Sequence, residues 1–136
     1  MDYRQLAKHA ITARDAAYVP YSNFAVGAAL LAKSGKVYFG CNIENAGYSP
    51  TNCAERTAVF KAVSEGEREF DAIAVAGWLR GGTPAMAYPC GVCRQVMMEF
   101  MDPETFCIIV CTSENDHTVH TLKDLLPHGF GPANLN

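Results

Sequence analysis

Asn52-Cys53-Ala54-Glu55-Arg56-Thr57-Ala58 and Pro89-Cys90-Gly91-Val92-Cys93-Arg94-Gln95 are the two stretches that decide how this chain is read. Cys90 and Cys93 are three residues apart, which on a helix puts both thiols on one face. Pro89 suits the start of that helix, where its missing N–H costs nothing. Cys53 and Glu55 are two apart and would not face each other on a regular helix, so Cys53 is expected at a helix entrance. Three thiolates leave a tetrahedral zinc one open position, and a catalytic zinc needs that position for water. Glu55 is then a spare carboxylate, placed to move that water's protons. Two helix N-termini aimed at one ion help to hold thiolates there. A three-thiolate zinc still carries excess negative charge, which makes its water less acidic. Arg56, beside Cys53 and Glu55, is the residue expected to draw that charge off sulfur.

Outward from these segments, Leu6, Ala10, Ala13 and Ala17 recur at helical spacing and predict a helix over 2–17, ended by Pro20. Residues 24–32 form a continuous apolar run, Ser34-Gly35 a turn, and 36–41 a returning strand, so the three together read as a hairpin. A helix is expected from Cys53 to about Glu65, a strand over 72–78, a loop over 79–88, and a helix over 91–101. Strands follow over 105–112 and 117–121. This order, β-β-α-β-α-β-β after the first helix, predicts one α/β domain over 1–136: a three-layer α-β-α arrangement around a mixed five-stranded sheet. Right-handed crossovers would put both cysteine-bearing helices on the same side of it. On the second of those helices Val92, Val96 and Phe100 are read as one apolar stripe, widened by Met97, Met98 and Met101. A helix apolar over so much of its circumference needs cover on more than one side, which points to a closed homo-oligomer.

Composition narrows the classes. The formal net charge is −3, and the eleven Lys and Arg form no dense run, so no nucleic-acid footprint is expected. No stretch is long and apolar enough to span a bilayer. The polar start Met1-Asp2-Tyr3-Arg4-Gln5 does not read as a leader, which predicts a cytoplasmic protein. In that reducing setting cysteine pairs are more often metal-binding or catalytic than disulfides. A closed structural zinc is the bland alternative, but Cys41, Cys107, Cys111 and the four histidines have no spacing that demands metal.

His or Cys, Glu two residues on, then Pro-Cys-x-x-Cys is the signature of the zinc nucleobase deaminases. Over nearly its whole length the chain resembles the zinc-dependent cytidine deaminases of the small homotetrameric type. Residues 20–30, Pro-Tyr-Ser-Asn-Phe-Ala-Val-Gly-Ala-Ala-Leu, are similar to that family's first strand. Gly40-Cys41-Asn42-Ile43-Glu44-Asn45-Ala46 resembles its ribose-binding segment, and Leu125-Leu126-Pro127 with Phe130 resembles its C-terminal substrate wall. The resemblance implies one Zn²⁺ per chain on Cys53, Cys90 and Cys93, with Glu55 as proton shuttle. It implies that Asn42 and Glu44 bond the ribose hydroxyls, that Phe24 packs on the nucleoside, and that the backbone at Ala54 meets the pyrimidine carbonyl. Ala46, Tyr48 and Phe130 would come from neighbouring subunits of a homotetramer. The activity implied is hydrolysis of cytidine and deoxycytidine to uridine and deoxyuridine plus ammonia, by zinc-activated hydroxide, in pyrimidine salvage.

Physical reading agrees with a free nucleoside. A carboxylate at Glu44 would repel a nearby 5′-phosphate, and no phosphate cradle of the P-loop kind is present. Three alternatives remain at this level. One is a deaminase of the same fold acting on a cytosine nucleoside antibiotic of the blasticidin S type, against which the Asn42-x-Glu44 pair argues. Another is a polynucleotide deaminase, which should show a basic, aromatic-lined channel. The last is a non-catalytic zinc-stabilised binding module, against which Glu55 argues. The loop over 79–88 has no assigned role.

Overall fold

The computed structural model describes residues 1–136. The elements are α1 (Tyr3–Ala13), a 3₁₀ turn (Arg14–Ala16), β1 (Phe24–Ala32), β2 (Val37–Cys41), α2 (Ala54–Ser64), β3 (Phe70–Leu79) and α3 (Gly91–Phe100). After these come β4 (Cys107–Cys111), β5 (His117–Thr121), α4 (Leu122–Leu125) and a last 3₁₀ turn (Pro132–Asn134). One five-stranded sheet runs in the order β2-β1-β3-β4-β5. Only β3 and β4 pair in parallel, so the sheet is mixed as expected.

The three central strands are buried on both faces, which is why they read as unbroken apolar runs rather than alternating ones. Leu30, Ile73, Val75, Ile108 and Val110 point to one side, where Ala58, Val59 and Ala62 of α2 and Cys93 and Met97 of α3 cover them. Ala29, Ala74, Ala76 and Ile109 point to the other, under Leu6, Ala7 and Ala10 of α1. Both cysteine-bearing helices therefore share a face. Cys107 and Cys111 belong to the α1 side, Cys111 fully buried, as small apolar residues of the layer.

One close approach sets the position of α2. A Cβ at Gly40 would lie 2.2 Å from the carbonyl oxygen of Ala54 and 2.6 Å from the amide nitrogen of Ala58. Only glycine lets the first turn of α2 rest on β2, and that turn begins at Cys53.

One sequence expectation is corrected. The first helix ends at Ala13 rather than 17. The chain tightens there into the 3₁₀ turn, whose first residue, Arg14, donates from Nε to the Ala25 carbonyl (2.9 Å) and from Nη2 to that of Trp78 (2.8 Å). Its guanidinium lies 3.8 Å from the centre of the Trp78 ring. On α3 the side chains buried against the sheet are Cys93, Met97 and Met101. Val92 is 57% exposed, and Val96 and Phe100 are half-buried. The helix presents to its own sheet the face that carries the second cysteine of the Pro-Cys-x-x-Cys run. Val96 and Phe100 pack at the margin of that core and Val92 faces outward, so the helix is apolar on more than one side, as the sequence reading has it. The four-residue α4, closed by a capping box between Thr121 and Asp124, has no counterpart in the sequence reading.

Candidate active site

Cys53 and Cys90 are the N-cap residues of α2 and α3, each with extended backbone, and neither side chain caps its own helix. Both thiols are thus free to turn toward the gap between the helices. Sγ of Cys90 lies 3.7 Å from Sγ of Cys53 and 3.5 Å from Sγ of Cys93, and the three sulfurs fall within 4.8 Å of one another. They are the one cluster of ligating groups in the chain able to hold a metal ion. A zinc with tetrahedral bonds of about 2.3 Å needs sulfurs about 3.8 Å apart. The donor set therefore fits zinc with little adjustment, and a fourth position stays open because no further Cys, His or carboxylate joins the cluster.

Electrostatics favour thiolate. The Cys53 thiol is drawn down to about 5, first by its hydrogen bond with Cys93 and then by those with Arg56 and Cys90, against the opposing effect of burial. The Cys93 thiol is pushed up, because it shares its hydrogen with Cys53 and is buried. Arg56 Nη2 donates to the Cys53 sulfur at 3.2 Å. Burial works against the guanidinium's charge, but its hydrogen bonds to Cys53 and Cys93 outweigh this and hold it charged.

Glu55, one residue into α2, is 4% exposed and is the only charged side chain in the buried set. Burial pushes its carboxyl up to about 7. A carboxyl poised there can take and return a proton near neutral pH.

Cys53, Ala54, Glu55 and Cys90 line a cavity of about 190 Å³, together with Phe24, Val26, Asn42 and Tyr88. A larger groove of about 480 Å³, beside Lys33, Arg68 and Asp102, lies at the opposite end of β1 and β3. It contains neither a cysteine nor a buried carboxylate, so the chemistry belongs to the smaller cavity. Asn42 is fixed by β1: its Oδ1 accepts from the Val26 amide (2.9 Å) and its Nδ2 donates to the Phe24 carbonyl (2.8 Å). One amide hydrogen of Asn42 remains uncommitted. Glu44 is not among the lining residues. Its Oε1 accepts from the amides of Tyr21 (3.0 Å) and Ser22 (3.2 Å), and its Oε2 from the Ser22 hydroxyl. Ser22 Oγ also accepts from the Phe24 amide at 3.0 Å. Glu44 and Phe24 are therefore held by one turn.

Ala46, Tyr48 and Phe130 do not line this cavity. Ala46 and Tyr48 sit on an exposed loop, where Tyr48 takes a left-handed backbone (φ 60°) uncommon for an aromatic residue. The Phe130 ring is 57% exposed, while its carbonyl accepts from Gln95 Nε2 of α3 at 2.8 Å. Sequence reasoning missed Ser22 and Tyr88. Tyr88 stands directly before Pro89-Cys90, and that adjacency was the signal that could have found it.

Residues 1–109 match the family model described as the cytidine and deoxycytidylate deaminase zinc-binding region. The chain is 50% identical over 136 residues to a cytidine deaminase of Halalkalibacterium halodurans, spanning 100% of this chain and 99% of that protein. It is 48% identical to one of Sporosarcina psychrophila, spanning 100% of this chain and 96% of the relative. Among solved structures, the cytidine deaminase of Burkholderia pseudomallei superposes with a TM-score of 0.86 at 48% identity, covering 96% of this chain and 100% of the other. That of Mycobacterium tuberculosis gives 0.81 at 41%, covering 96% and 98%.

Proposed function

This chain belongs to the cytidine and deoxycytidylate deaminase family, and from that premise we propose how its own residues carry out the hydrolytic deamination of cytidine. The observation that carries the assignment is a buried carboxyl, Glu55, beside three converging sulfurs at the wall of a cavity that Phe24 and Asn42 also line.

Cys53, Cys90 and Cys93 hold one zinc. When bound, zinc supplies a water acidic enough to attack the ring carbon that bears the amino group. Glu55 would take one proton from the attacking water on its carboxylate oxygen and deliver it to ring N3, then take the second from the hydroxyl left on the attacked carbon and pass it to the amino nitrogen, so that the carbonyl forms and ammonia leaves. Proton transfer by a positioned carboxyl contributes about 10²–10⁴-fold. The Ala54 amide, on the first turn of α2, is placed to bind the pyrimidine carbonyl oxygen. Asn42 uses its remaining amide hydrogen, and Glu44 its free lone pairs, on the ribose hydroxyls. Phe24 packs against the nucleoside. Deoxycytidine keeps the 3′-hydroxyl for these contacts and is taken as a substrate too. A nucleotide is disfavoured by the Glu44 charge.

The active unit in this reading is a homotetramer. Phe60 of α2 and Val92 of α3 are 46% and 57% exposed, a density of outward apolar side chains that supports burial against other copies. Ala46, Tyr48 and Phe130, exposed in their own chain, then complete neighbouring cavities. All six cysteines are free, which suits a reducing cytoplasmic setting and a role in pyrimidine salvage. No helix is long and apolar enough to cross a membrane. The test is the fall in absorbance when purified protein meets cytidine, with deoxycytidine, CMP and blasticidin S alongside. Turnover of cytidine and deoxycytidine, and little of the others, supports the reading; no turnover of cytidine overturns it.

A further inference from the structure

The loop that leaves β3 is tied at its start to the turn before Phe24 and ends in the cavity wall. Its first residue, Arg80, donates its amide to the Asn23 carbonyl (2.9 Å) and its Nη2 to that of Ala17 (2.6 Å). Asn23 is the left-handed residue (φ 59°) that directs the chain into Phe24. The loop then turns at Gly81 (φ 72°) and returns across Gly77. A Cβ on Gly77 would lie 2.9 Å from Val26 Cγ2 and 3.2 Å from both Phe24 Cε1 and Ala87 Cβ, so the bare strand there lets the three side chains crowd over it. The last two loop residues, Ala87 and Tyr88, both line the cavity.

Tyr88 is held from behind. Its ring meets His120 of β5 edge-on, with centroids 5.5 Å apart and planes at 65°. His120 Nε2 in turn lies 2.9 Å from Thr118 Oγ1. Pro89 restricts the Tyr88 backbone to extended conformations. The ring is nevertheless 48% exposed. An aromatic side chain fixed at both its backbone and its edge, with half its surface unburied at a cavity wall, is preorganised to meet a flat ligand rather than to fill a core.

We propose that the loop over 80–88 is a substrate wall and that Tyr88 is its contact residue, packing on the pyrimidine nucleoside from the wall that Phe24 does not supply. This rests on the deaminase reading of the cavity. Both ends of the loop then serve the substrate. One end braces the turn that carries Phe24, and the other carries the second ring. His120 acts through Tyr88 and is a positioning residue.

The test is steady-state kinetics on Tyr88→Ala, Tyr88→Phe and His120→Leu beside the unaltered enzyme, with the inhibition constant of uridine as a binding readout that needs no turnover of the probe. Zinc is measured in every sample. Tyr88→Ala should raise KM for cytidine about 3- to 10-fold, and the uridine constant by a similar factor, more than it lowers kcat. Tyr88→Phe should recover most of that loss, because the ring makes the contact, and His120→Leu should fall between. The proposal is overturned if Tyr88→Ala leaves both KM and the uridine constant unmoved, or if its whole effect follows zinc content. If the unaltered enzyme fails to deaminate cytidine, it is the deaminase reading itself that fails.

Discussion

Arg56 Nη2 stands 3.2 Å from Cys53 Sγ, so the helix that supplies the first sulfur also supplies the cation that tempers it. Its Nε is buried without a partner. An unsatisfied buried donor costs about 1–3 kcal/mol, and the guanidinium keeps this position regardless. The charge on sulfur is what it answers. Arg56→Ala should therefore lower activity more than it lowers zinc content. Metal analysis and kcat/KM on the same preparation separate the two, and a parallel loss of both would make Arg56 a mere support of the metal.

Zinc itself should be present at about one per chain and be lost on Cys90→Ala or Cys93→Ala, since two sulfurs do not make a stable site. Elemental analysis of protein purified without air measures this. Fully active protein well short of one zinc per chain would contradict the assignment of the cluster.

Glu55→Gln keeps the shape of a buried side chain and removes its ability to exchange a proton. It should fold, retain zinc and lose about 100-fold or more of kcat. More than about a tenth of the original rate would mean that another group moves the proton.

The two cysteine segments were legible because their spacing is local: three residues on a helix face, and a cysteine at each helix entrance. The central strands were legible because burial on both faces leaves an unbroken apolar run. The orientation of α3 was not. Cys93-Met97-Met101 and Val92-Val96-Phe100 are both apolar stripes, and periodicity cannot say which of two such stripes faces the sheet. Nor could spacing reveal the Tyr88–His120 pair or the Arg14 bonds to β1 and β3, because these join residues far apart in the chain. The short α4 did leave a trace in Thr121-x-x-Asp124, a capping signal that a strand reading through Thr121 passed over.

Gly40→Ala should show how closely the fold sets the site. The added methyl would need to sit 2.2 Å from the Ala54 carbonyl oxygen, so the first turn of α2 must move away from β2. Overpacking of this kind costs about 1–3 kcal/mol. Because that turn carries Cys53 and Glu55, zinc affinity and turnover should fall along with the unfolding midpoint. An unchanged zinc affinity would show that α2 yields elsewhere along its length.

Glu44 gives the pH dependence. Its carboxyl is held below the ordinary glutamate value, chiefly by the Ser22 hydroxyl and then by the amides of Ser22 and Tyr21. A depressed pKa keeps the carboxylate charged further into acid. Its bonds to the turn, and the bond to a ribose proposed for it, depend on that charge, are intact above the unfolded value and are lost as pH falls through the folded one. Ser22→Ala removes the largest of these effects and lets the pKa climb. The acidic limb of kcat/KM for cytidine should then move to higher pH, with KM rising first. A limb that stays in place would separate Glu44 from substrate binding.

The subunit arrangement is open to a direct trial. Phe130 follows Pro127 and Gly129, its carbonyl is tied to Gln95 of α3, and its ring is turned to the outside. A ring anchored at its backbone and exposed at its side chain can wall a neighbour's cavity but does not line its own. Light scattering with sedimentation should give four chains. Phe130→Ala should raise KM while leaving zinc in place. Mixing that variant with Cys90→Ala should restore part of the activity if chains exchange. In a mixed tetramer some cavities combine the intact sulfurs of one chain with the intact Phe130 of another. Mixtures of either variant with itself should gain nothing. A dilute monomer with full activity would show instead that the exposed faces of α2 and α3 play no part in catalysis and that each chain closes its own cavity.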